Sequence, residues 1–376
     1  MIVLLYCSPV LPLSVATHGR SLMGSGRGRE GPTRRFGGGR DVDVLSDVLA
    51  AVRLTGAVFF DSTFREPWVA EAPRASAIAA AVMPQSQYVF FFHTLIEGSC
   101  WVELTEGGSE PLHLEAGDIV AFPMDDAHAL CSSSGMRAKP DLAVYHSPVD
   151  RQLPYVVNDG SGAGTCRFIC GYLGCDIRPY NPFITSLPRI LLGRGTAAQG
   201  WLAQLVRHAV SETRSIQPGG EIVLAKLAEL LFVEVLREYA NELPPEARGW
   251  LSGLRDPQIG HALRLIHGQP AESWTLEGLA RGVGLSRSVF ADRFAHFTGD
   301  TPMQYLARWR MQLAAKRLED TTGSIAQAGA EVGYESEAAF NRAFKKFTGL
   351  PPGAWRRSHA TSGAAMPSGL SPESGV

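Results

Sequence analysis

Hydrophobic positions in the last third of the chain recur at helical spacing. In Val332–Gly349, "VGYESEAAFNRAFKKFTG", Phe340, Phe344 and Phe347 are spaced by four and three residues, so they share one stripe of a helix. The basic side chains lie roughly opposite that stripe: Arg342, Lys345 and Lys346. The pattern predicts an amphipathic helix whose aromatic stripe packs in a core, and a solvated surface is the plain interpretation of its basic face.

A second copy of this helix occurs fifty residues upstream. "SRSVFADRFAHFTG", Ser286–Gly299, matches "SEAAFNRAFKKFTG", Ser336–Gly349, at the serine, all three phenylalanines, the threonine and the glycine. The chain therefore repeats a unit, and the repeat favours a functional role for both polar faces.

Each copy follows a shorter helical pattern that ends at a glycine. In the first unit Thr275 is the expected cap and Gly284 the left-handed stop. In the second, Ser324 and Gln327 form a capping-box pattern and Gly333 is the stop. A helix, a tight turn and an amphipathic helix make a helix-turn-helix unit, whose second helix enters the DNA major groove. We call the two second helices the reader helices.

A long helix is predicted between the two units. "TPMQYLARWRMQLAAKRLED" opens with Thr301 as cap and Pro302 at the first helical position. Leu306, Trp309 and Leu313 then share one face. Twenty residues span about 30 Å, close to the roughly 34 Å rise of one DNA turn, so both reader helices would meet successive major grooves.

The stretch from Asp256 to Arg357 resembles the DNA-binding domain of AraC-type transcriptional regulators. The motifs that carry the resemblance are "TPMQYLARWRMQLAAKRL", "VGYESEAAFNRAFKKFTGLPPGAWR" and the paired helix-turn-helix units. The resemblance implies these base-reading or groove-lining positions: Arg287, Ser288, Ala291 and Asp292 in the first reader helix, and Glu337, Ala338, Ala339 and Arg342 in the second. Arg342 is the strongest candidate, because a guanidinium binds guanine O6 and N7 together. Lys345 and Lys346 are expected to contact phosphates.

The chain departs from the family pattern at several positions. Asp292 stands where many relatives carry arginine, and Gly278 replaces the glutamate of a capping box. Gly282 and Gly329 are each expected to cost about 0.5 to 1 kcal/mol relative to alanine. These changes predict modest stability or affinity. The small net charge of this domain is consistent with modest affinity, since residues 256–357 hold 13 Lys and Arg against 10 Asp and Glu, a net +3.

Residues 43–194 carry strand-like patterns. The β-rich runs are "YVFFFHTLIEG", "SCWVELTEGG", "PLHLEAGDIVAFP", "DLAVYH" and "GTCRFICGYL". They predict a small barrel or sandwich. "LEAGDIVAFPMDDAHAL" resembles the second half of a cupin, and with "HTLIEGSCWVEL" and "CGYLGCDIRPYNPFITSLP" the region is similar to the cupin-type sensor domain of some AraC-type regulators.

The expected fold is thus α+β and multidomain. It comprises a cupin-like β-barrel at 41–194, a helical linker and dimerisation region at 195–255, and an all-α double helix-turn-helix domain at 256–357.

Histidines of the sensor region are singly spaced. A metal-dependent cupin usually supplies a close His-x-His pair, which this region lacks, so no metal or other cofactor is expected. For His93 and His128, a structural role and a place in an effector pocket remain equal alternatives. Trp101 is a core or pocket residue, and Cys170 completes the candidate pocket set.

The six cysteines show no paired spacing, which argues against a secreted disulfide scaffold. Cys170 matches a cysteine that oxidant-responsive members use, whereas the other cysteine of that scheme aligns with Ser62. Cys166 and Cys170 would lie about 13 Å apart along a strand, beyond the roughly 7 Å that a disulfide allows. The other candidate thiols are Cys100, Cys131 and Cys175, for which buried free thiols are the plainer interpretation.

The segment "GGEIVLAKLAELLFVEVLREYANELPP" is apolar on two helical faces. A helix of this kind packs twice, against the barrel and against a second subunit, or lies wholly buried within one chain.

Composition and the chain ends complete the interpretation. A chain of 376 residues, 45% hydrophobic with net charge −2, is typical of a globular protein of two or three units. Residues 1–40 hold a short, proline-broken apolar run and an Arg/Gly-rich run, and we expect disorder or a mis-assigned start near Val42–Val44, with a signal peptide or DNA arm as alternatives. The tail at 358–376 is expected to be unstructured.

The hypothesis is a transcription factor of the bacterial cytoplasm that is not an enzyme and does not enter membranes. Its expected partners are double-stranded DNA, a small-molecule or oxidant effector, a second copy of the chain, and RNA polymerase. The alternative is a metal-dependent cupin enzyme with a vestigial DNA-binding domain.

Overall fold

The computed structural model describes residues 42–145, 154–195, 201–214, 218–244, 246–320 and 323–360. The predictions made for residues 1–40 and for most of the tail at 358–376 concern residues outside these ranges. 

Two β-sheets make up the N-terminal half of the described chain. The strands of the described residues are, in chain order, β1 (Thr55–Arg65), β2 (Val69–Ala72), β3 (Tyr88–Glu97), β4 (Ser99–Leu104), β5 (Leu112–Glu115), β6 (Ile119–Ala121), β7 (His128–Cys131), β8 (Tyr155–Asp159), β9 (Thr165–Cys175) and β10 (Leu191–Gly193). The larger sheet has the order β10-β6-β3-β9-β1-β8 and the smaller β2-β7-β4-β5. Only β1 and β8 pair in parallel among the described ladders. The domain is β-rich and cupin-like, as the sequence predicted, and its strands form two facing sheets, which is the sandwich form of the predicted small barrel or sandwich.

Strand β3 shows why the larger sheet is apolar on both sides. Alternate side chains of a strand point to opposite faces. Phe91 and Leu95 face the smaller sheet, whereas Phe90 and Phe92 join the core on the other side. Both faces of this strand are covered, so the run "YVFFFHTLIE" is nearly continuous in apolar residues instead of alternating.

Most of the helices before the DNA-binding region cover the outer face of the larger sheet, whereas the shortest packs in the core between the sheets. The helices before the DNA-binding region are α1 (Val44–Ala51), α2 (Ala79–Val82), α3 (Trp201–Arg214) and α4 (Gly220–Glu242). Phe232 of α4 packs on Phe90 with ring centroids 5.3 Å apart. At Gly56 a side chain has no room, because a Cβ atom would lie 2.5 Å from the carbonyl oxygen of Ala225. Helix α4 therefore lies directly on β1.

Helices make up the C-terminal part of the described chain. They are α5 (Trp250–Arg255), α6 (Pro257–Gly268), α7 (Leu276–Gly282), α8 (Arg287–Thr298), α9 (Pro302–Asp320), α10 (Ile325–Glu331), α11 (Glu337–Thr348) and α12 (Pro352–Ala360). The pairs α7/α8 and α10/α11 are the two helix-turn-helix units, with α8 and α11 as reader helices. Helix α12 continues to Ala360, past the predicted domain end at Arg357.

Helix caps of this region follow the sequence closely. The Thr275 hydroxyl accepts from the Gly278 amide at 3.0 Å, and the Ser336 hydroxyl accepts from the Ala339 amide at 3.2 Å. Ser324 accepts from the Gln327 amide at 3.0 Å, but the Gln327 side chain donates to Glu331, so the reciprocal half of the expected capping box is not made.

A complete capping box occurs at the start of α9. The Thr301 hydroxyl accepts from the Gln304 amide at 3.4 Å, and the Gln304 side chain accepts from the Thr301 amide at 3.2 Å. 

The aromatic stripes belong to two different cores. Phe290 and Phe294 of α8 pack in a core that is continuous with α1, α4 and the outer face of the larger sheet. Phe340 and Phe344 of α11 pack in a separate core with the C-terminal half of α9. Helix α9 thus contributes to both cores, Leu306 and Trp309 being buried in the first. The first unit shares its core with the sensor domain, whereas the second packs through α9.

One predicted strand is absent. The run "DLAVYH" was expected to be β-rich, but Leu142–Tyr145 forms a short 3₁₀ helix, and His146 lies outside the described residues. The Asp141 carboxylate accepts from the Ala143 amide at 2.9 Å, a local bond that favours a turn over a strand.

No helix in the described ranges combines the length and apolarity needed to cross a membrane.

Candidate functional site

The first reader helix, α8, presents a mixed polar face. Arg287, Ser288 and Asp292 are exposed and Ala291 is half-buried. Arg287 forms an ion pair with Glu277 at 3.1 Å, and both side chains are largely exposed, so this pair stabilises the fold little and leaves the guanidinium able to exchange partners. The exposed acid Asp292 would repel phosphate.

The second reader helix, α11, has the stronger positive face. Arg342, Lys345 and Lys346 are exposed on it, as are Glu337 and Ala338 near its start. Ala339 is half-buried beside them. The structure therefore places every predicted DNA-contacting residue on the outer side of a reader helix or at its edge. The phenylalanines on the opposite side hold each helix in place.

A cavity of about 300 Å³ lies between the two sheets of the sensor domain. Phenylalanine and tyrosine side chains form much of its wall, and His93 and Cys170 reach it from neighbouring strands β3 and β9. Of the four predicted pocket residues, these two line the cavity. 

His93, His128 and Cys170 form one hydrogen-bonded chain. His93 Nδ1 lies 2.8 Å from Cys170 Sγ, and His93 Nε2 lies 2.8 Å from His128 Nε2. His128 Nδ1 lies 3.1 Å from the carbonyl oxygen of Asp126, which only accepts. A neutral His128 therefore donates to Asp126 and accepts from His93, and His93 in turn accepts from the Cys170 thiol.

Burial keeps all three groups of this chain neutral. Burial, with the neighbouring His128, holds the pKa of His93 well below its usual value. Burial lowers the pKa of His128 to about 4, and the Asp126 carbonyl opposes that change. Burial raises the pKa of the Cys170 thiol, so the thiol is protonated at neutral pH.

Trp101 lies elsewhere. In β4 the inward residues are Cys100, Val102 and Leu104, so Trp101 points to the outer face of the smaller sheet. It packs there on His113 with ring centroids 4.9 Å apart, and it is not among the residues lining the cavity.

The arrangement of the sensor residues does not fit a metal ion. Within the described residues no three His, Cys, Asp or Glu side chains converge as ligands. His93 and His128 direct their Nε2 atoms at each other and are satisfied by that contact.

The five described cysteines are free and buried. Contact with Cys166, together with burial, raises the pKa of the Cys100 thiol. Burial raises the pKa of Cys175 to about 12. Both effects disfavour the reactive thiolate.

A second polar constellation joins the sensor to α9. The Gln312 side chain, 2% exposed, accepts from the Tyr180 amide and donates to the Ala51 carbonyl, both at 2.9 Å. Lys316 donates to the Ala50 carbonyl at 2.6 Å. We call these contacts the α9 clamp.

An ion-pair network extends the clamp. Arg53 binds Asp176 at 2.6 Å and Glu319 of α9 at 2.8 Å. Tyr180 donates its hydroxyl to Asp300 at 3.2 Å, just before α9 begins. The segment that follows β9 is thus attached to the helix that joins the two readers.

Helix α4 has one buried and one exposed apolar face. Leu224, Leu231 and Val235 are buried against the sheet. Ile222 is 69% exposed, and Val223 and Leu230 are also exposed. These two faces match the helical pattern that is apolar on two sides.

Sequence reasoning missed several residues that the structure brings forward. Val289, exposed on α8 beside the buried Phe290, is an apolar candidate for contact with a thymine methyl group. Gln312 and Tyr180 form the clamp. Ser62, which the sequence identified only as the position of a missing redox cysteine, lines the cavity. Of these residues, only Val289 could have been identified from its neighbours in the sequence, because it is an apolar residue on an otherwise polar helical face.

Two protein families match the chain. The family described as Cupin matches residues 43–241, more than half of the chain. The family described as Helix-turn-helix domain matches residues 279–358, which include both reader helices.

Similar proteins cover both halves of the chain. A putative AraC-like transcription regulator of Streptomyces lividans is 32% identical over 74% of this chain and 90% of its own length. The HTH-type transcriptional regulator AlkR of Acinetobacter baylyi is 30% identical over 69% of this chain and 85% of its own length. The RCS-specific HTH-type transcriptional activator RclR of Escherichia coli is 28% identical over 71% of this chain and 84% of its own length. The chain therefore belongs to the AraC-type DNA-binding transcriptional regulators that carry an N-terminal cupin domain.

Proposed function

We propose that the protein is a cytoplasmic, homodimeric regulator whose cupin-like domain responds to a small molecule or an oxidant and thereby controls promoter binding by α8 and α11. The α9 clamp is the observation that carries this proposal. It attaches the sensor to the helix between the readers, so a change in the sensor has a physical route to both. No catalytic step is part of the proposal.

The route runs along a single strand. Cys170 lines the cavity in the middle of β9. Asp176, which belongs to the ion-pair network that extends the clamp, follows the end of the same strand. Six residues of extended chain cover about 20 Å. A ligand that shifts β9 would move Asp176 and the Tyr180 segment, and with them the contacts to Gln312 and Glu319.

The proposed DNA contacts divide by chemistry. Arg342 is placed to bind a guanine edge, and Lys345 and Lys346 to bind phosphates. The corresponding face of α8 offers Arg287 and Ser288 as polar contacts and Val289 as an apolar one. RNA polymerase is the partner through which the bound regulator would act.

The proposed dimer uses the exposed face of α4. A shallow hollow between α1 and α4 is lined by Leu49, Leu54, Leu230 and Val233 and by the ion pair of Lys226 and Glu229. Ile222 and Val223 are also exposed on α4. Exposed apolar patches of this kind mark interaction surfaces. We expect Leu230→Glu to convert a dimer to a monomer in sedimentation analysis, with Glu242→Gln, at the exposed C-terminal end of the same helix, as a control. A dimer that survives the Leu230 substitution would place the interface elsewhere.

An oxidant remains within the proposal because Cys170 faces the cavity and contacts His93. The protonated state of this buried thiol disfavours rapid oxidation. The cavity itself supports a small-molecule effector more directly.

DNA selection tests the proposed function. The full chain is used to select fragments from genomic DNA, and the affinity for the selected fragment is measured by fluorescence anisotropy. We expect specific binding that depends on both readers, so that Arg287→Ala and Arg342→Ala each weaken it. The control variant Arg65→Ala also removes one positive charge, but from the sensor domain, and should bind DNA like the wild type. If no fragment is enriched, or if only one reader matters, the two-reader proposal fails.

A further inference from the structure

Six Phe and Tyr residues are among those that line the sensor cavity. Phe60 comes from β1, Phe91 from β3, and Tyr145 from the 3₁₀ helix, so rings approach the cavity from several elements. The Tyr145 ring stands nearly perpendicular to Phe60, with centroids 5.9 Å apart and planes at 82°. It also meets Phe91 edge to face at 6.2 Å. Such a wall offers ring faces and edges to a flat apolar ligand.

The interior of the cavity holds no uncompensated charge among the described residues. His93 and Cys170 are kept neutral by burial. The Glu71 carboxylate lines the cavity, but Arg137 holds it through two hydrogen bonds at 2.8 and 2.9 Å. Other charged lining groups, Lys139 and Asp141 among them, lie at the exposed rim. A charged group buried in the interior would therefore lose its hydration without meeting a counter-ion there, because Lys139 lies at the rim.

The Ser62 hydroxyl is a polar group of the cavity wall that a ligand can bond. Ser62 is 5% exposed and lines the cavity, and within the described residues no hydrogen bond engages its hydroxyl. Its backbone pairs with Phe168 of β9 on one side and Val157 of β8 on the other. A hydroxyl both donates and accepts, so it can bind either a hydroxyl or a carbonyl group. A ligand atom at this point would replace solvent as the hydrogen-bond partner of this hydroxyl.

We propose that the cavity binds a neutral aromatic molecule with one hydroxyl or carbonyl group, its ring packed against the wall formed by Phe60, Phe91 and Tyr145 and its polar atom at Ser62. The inference rests on the sensing role proposed above and names the class of ligand. The cavity size matches the lower end of small-molecule sites, which admits one or two rings.

Calorimetric titration of the full chain at pH 7 tests the ligand class with three probes of one ring system. They are 2-naphthol, which is neutral and polar at one atom, naphthalene, which lacks the polar atom, and 2-naphthoate, which is charged. We expect 2-naphthol to bind most tightly and 2-naphthoate at least about tenfold more weakly, because its carboxylate finds no cation inside the cavity. Equal or tighter binding of 2-naphthoate would overturn the inference, as would failure of both neutral probes to bind.

Variants locate the bound probe. Ser62→Ala should weaken 2-naphthol binding about three- to tenfold, the effect of one lost hydrogen bond, and leave naphthalene unchanged. An equal effect on both probes would remove Ser62 from the site. Val157→Trp fills the cavity and should abolish binding, whereas Val156→Trp is its control, because Val156 is the adjacent residue of β8, 69% exposed and not part of the cavity lining. Retained binding in Val157→Trp would place the probe elsewhere.

The same preparations separate this inference from the regulatory proposal. A protein that binds its selected DNA but neither neutral probe keeps the regulatory function and refutes the ligand class. A protein that binds 2-naphthol with no change in DNA affinity keeps the site and refutes its sensing role.

Discussion

At the scale of single residues, burial and charge decide which side chains can serve DNA recognition and which serve the sensor. Charged residues of α11 stay hydrated on its outer face, so they are available to phosphates and bases. His93 and His128 are charged only at a large cost, so they take part in a neutral hydrogen-bonded chain. The same residue types thus acquire different roles from their surroundings.

The charged residues of α11 should affect DNA binding in two separable ways, through salt dependence and through base preference. Lys345→Ala should reduce the slope of log affinity against log salt by about one, because one phosphate contact is lost. Arg342→Ala should cost about 1 to 3 kcal/mol and relax preference at one base pair. Anisotropy titrations at several salt concentrations measure both effects. An unchanged slope in Lys345→Ala would remove that lysine from the interface, and Arg65→Ala in the sensor should alter neither quantity.

Residue-scale burial predicts that acid destabilises the sensor. The pKa of His128 is about 4 in the folded protein against 6.5 in the unfolded chain, so the unfolded state binds more protons between these values. The free energy of unfolding should be undiminished at pH 7, fall below pH 6.5, and be lower by about 2 kcal/mol at pH 5 from this residue. Urea denaturation at both pH values measures the loss.

A matched pair of variants assigns that pH dependence. His128→Gln cannot ionise and should show a smaller loss between pH 7 and pH 5, even if it is less stable at pH 7. His113→Gln on the outer face should keep the wild-type loss. Identical losses in His128→Gln and the wild type would mean that another group titrates.

At the scale of elements, close packing explains residues that look unfavourable in the sequence. Gly329 was expected only to weaken α10, yet a Cβ atom there would lie 2.9 Å from Phe340 Cγ on α11. The two helices of the second unit approach each other at this glycine. Gly282 differs, because its nearest neighbour is the flexible end of Leu265 at 3.1 Å.

The packing at these two glycines therefore predicts that replacing each with alanine changes the free energy of unfolding in opposite directions. Gly329→Ala should lower the free energy of unfolding by about 1 to 3 kcal/mol, because the added methyl group overpacks the α10–α11 contact. Gly282→Ala should be neutral or stabilise by up to about 1 kcal/mol through helix propensity. Thermal and urea denaturation of both variants give the comparison. Equal stabilisation by both would show that the second unit has room for a side chain at residue 329.

At the scale of the whole molecule, sensor and reader are parts of one packed structure. The core that contains the outer face of the larger sheet continues through α1 and α4 to the first helix-turn-helix unit. Gln312 adds a buried polar contact to that apolar continuity. The second unit has its own core and is joined to the rest through α9.

Whole-molecule coupling predicts the effect of removing the clamp. Gln312→Ala leaves the Tyr180 amide and the Ala51 carbonyl without their partner, so unfolding should cost about 1 to 3 kcal/mol less. Hydrogen exchange should accelerate in α1 and in the segment after β9. Gln327→Ala on the exposed side of α10 is the matched control and should change stability by less than about 0.5 kcal/mol. If exchange in α1 is unaffected by Gln312→Ala, the clamp does not hold the sensor.

The amino-acid sequence by itself determined the features that depend on near neighbours. The duplicated helix-turn-helix units and the two-faced α4 follow from helical periodicity, because residues three and four apart share a face. The caps follow from residue type, because serine and threonine hydroxyls accept from the free amides of a first helical turn. The β-rich nature of residues 43–194 and most of the named strands were also predictable from local pattern. The short 3₁₀ helix at Leu142–Tyr145 was not predicted, because the apolar run outweighed the turn tendency of Asp141, whose carboxylate accepts from the Ala143 amide.

Only the tertiary structure decided which distant residues meet. Cys170 and His93 are 77 residues apart, and Gln312 and Ala51 are 261 apart, so strand register and helix docking set these contacts. Trp101 shows how sensitive such placement is, since a shift of one residue in β4 reverses the face to which a side chain points. Local pattern names the elements, but long-range packing builds the cavity and the clamp, because their residues become neighbours only when the chain is folded.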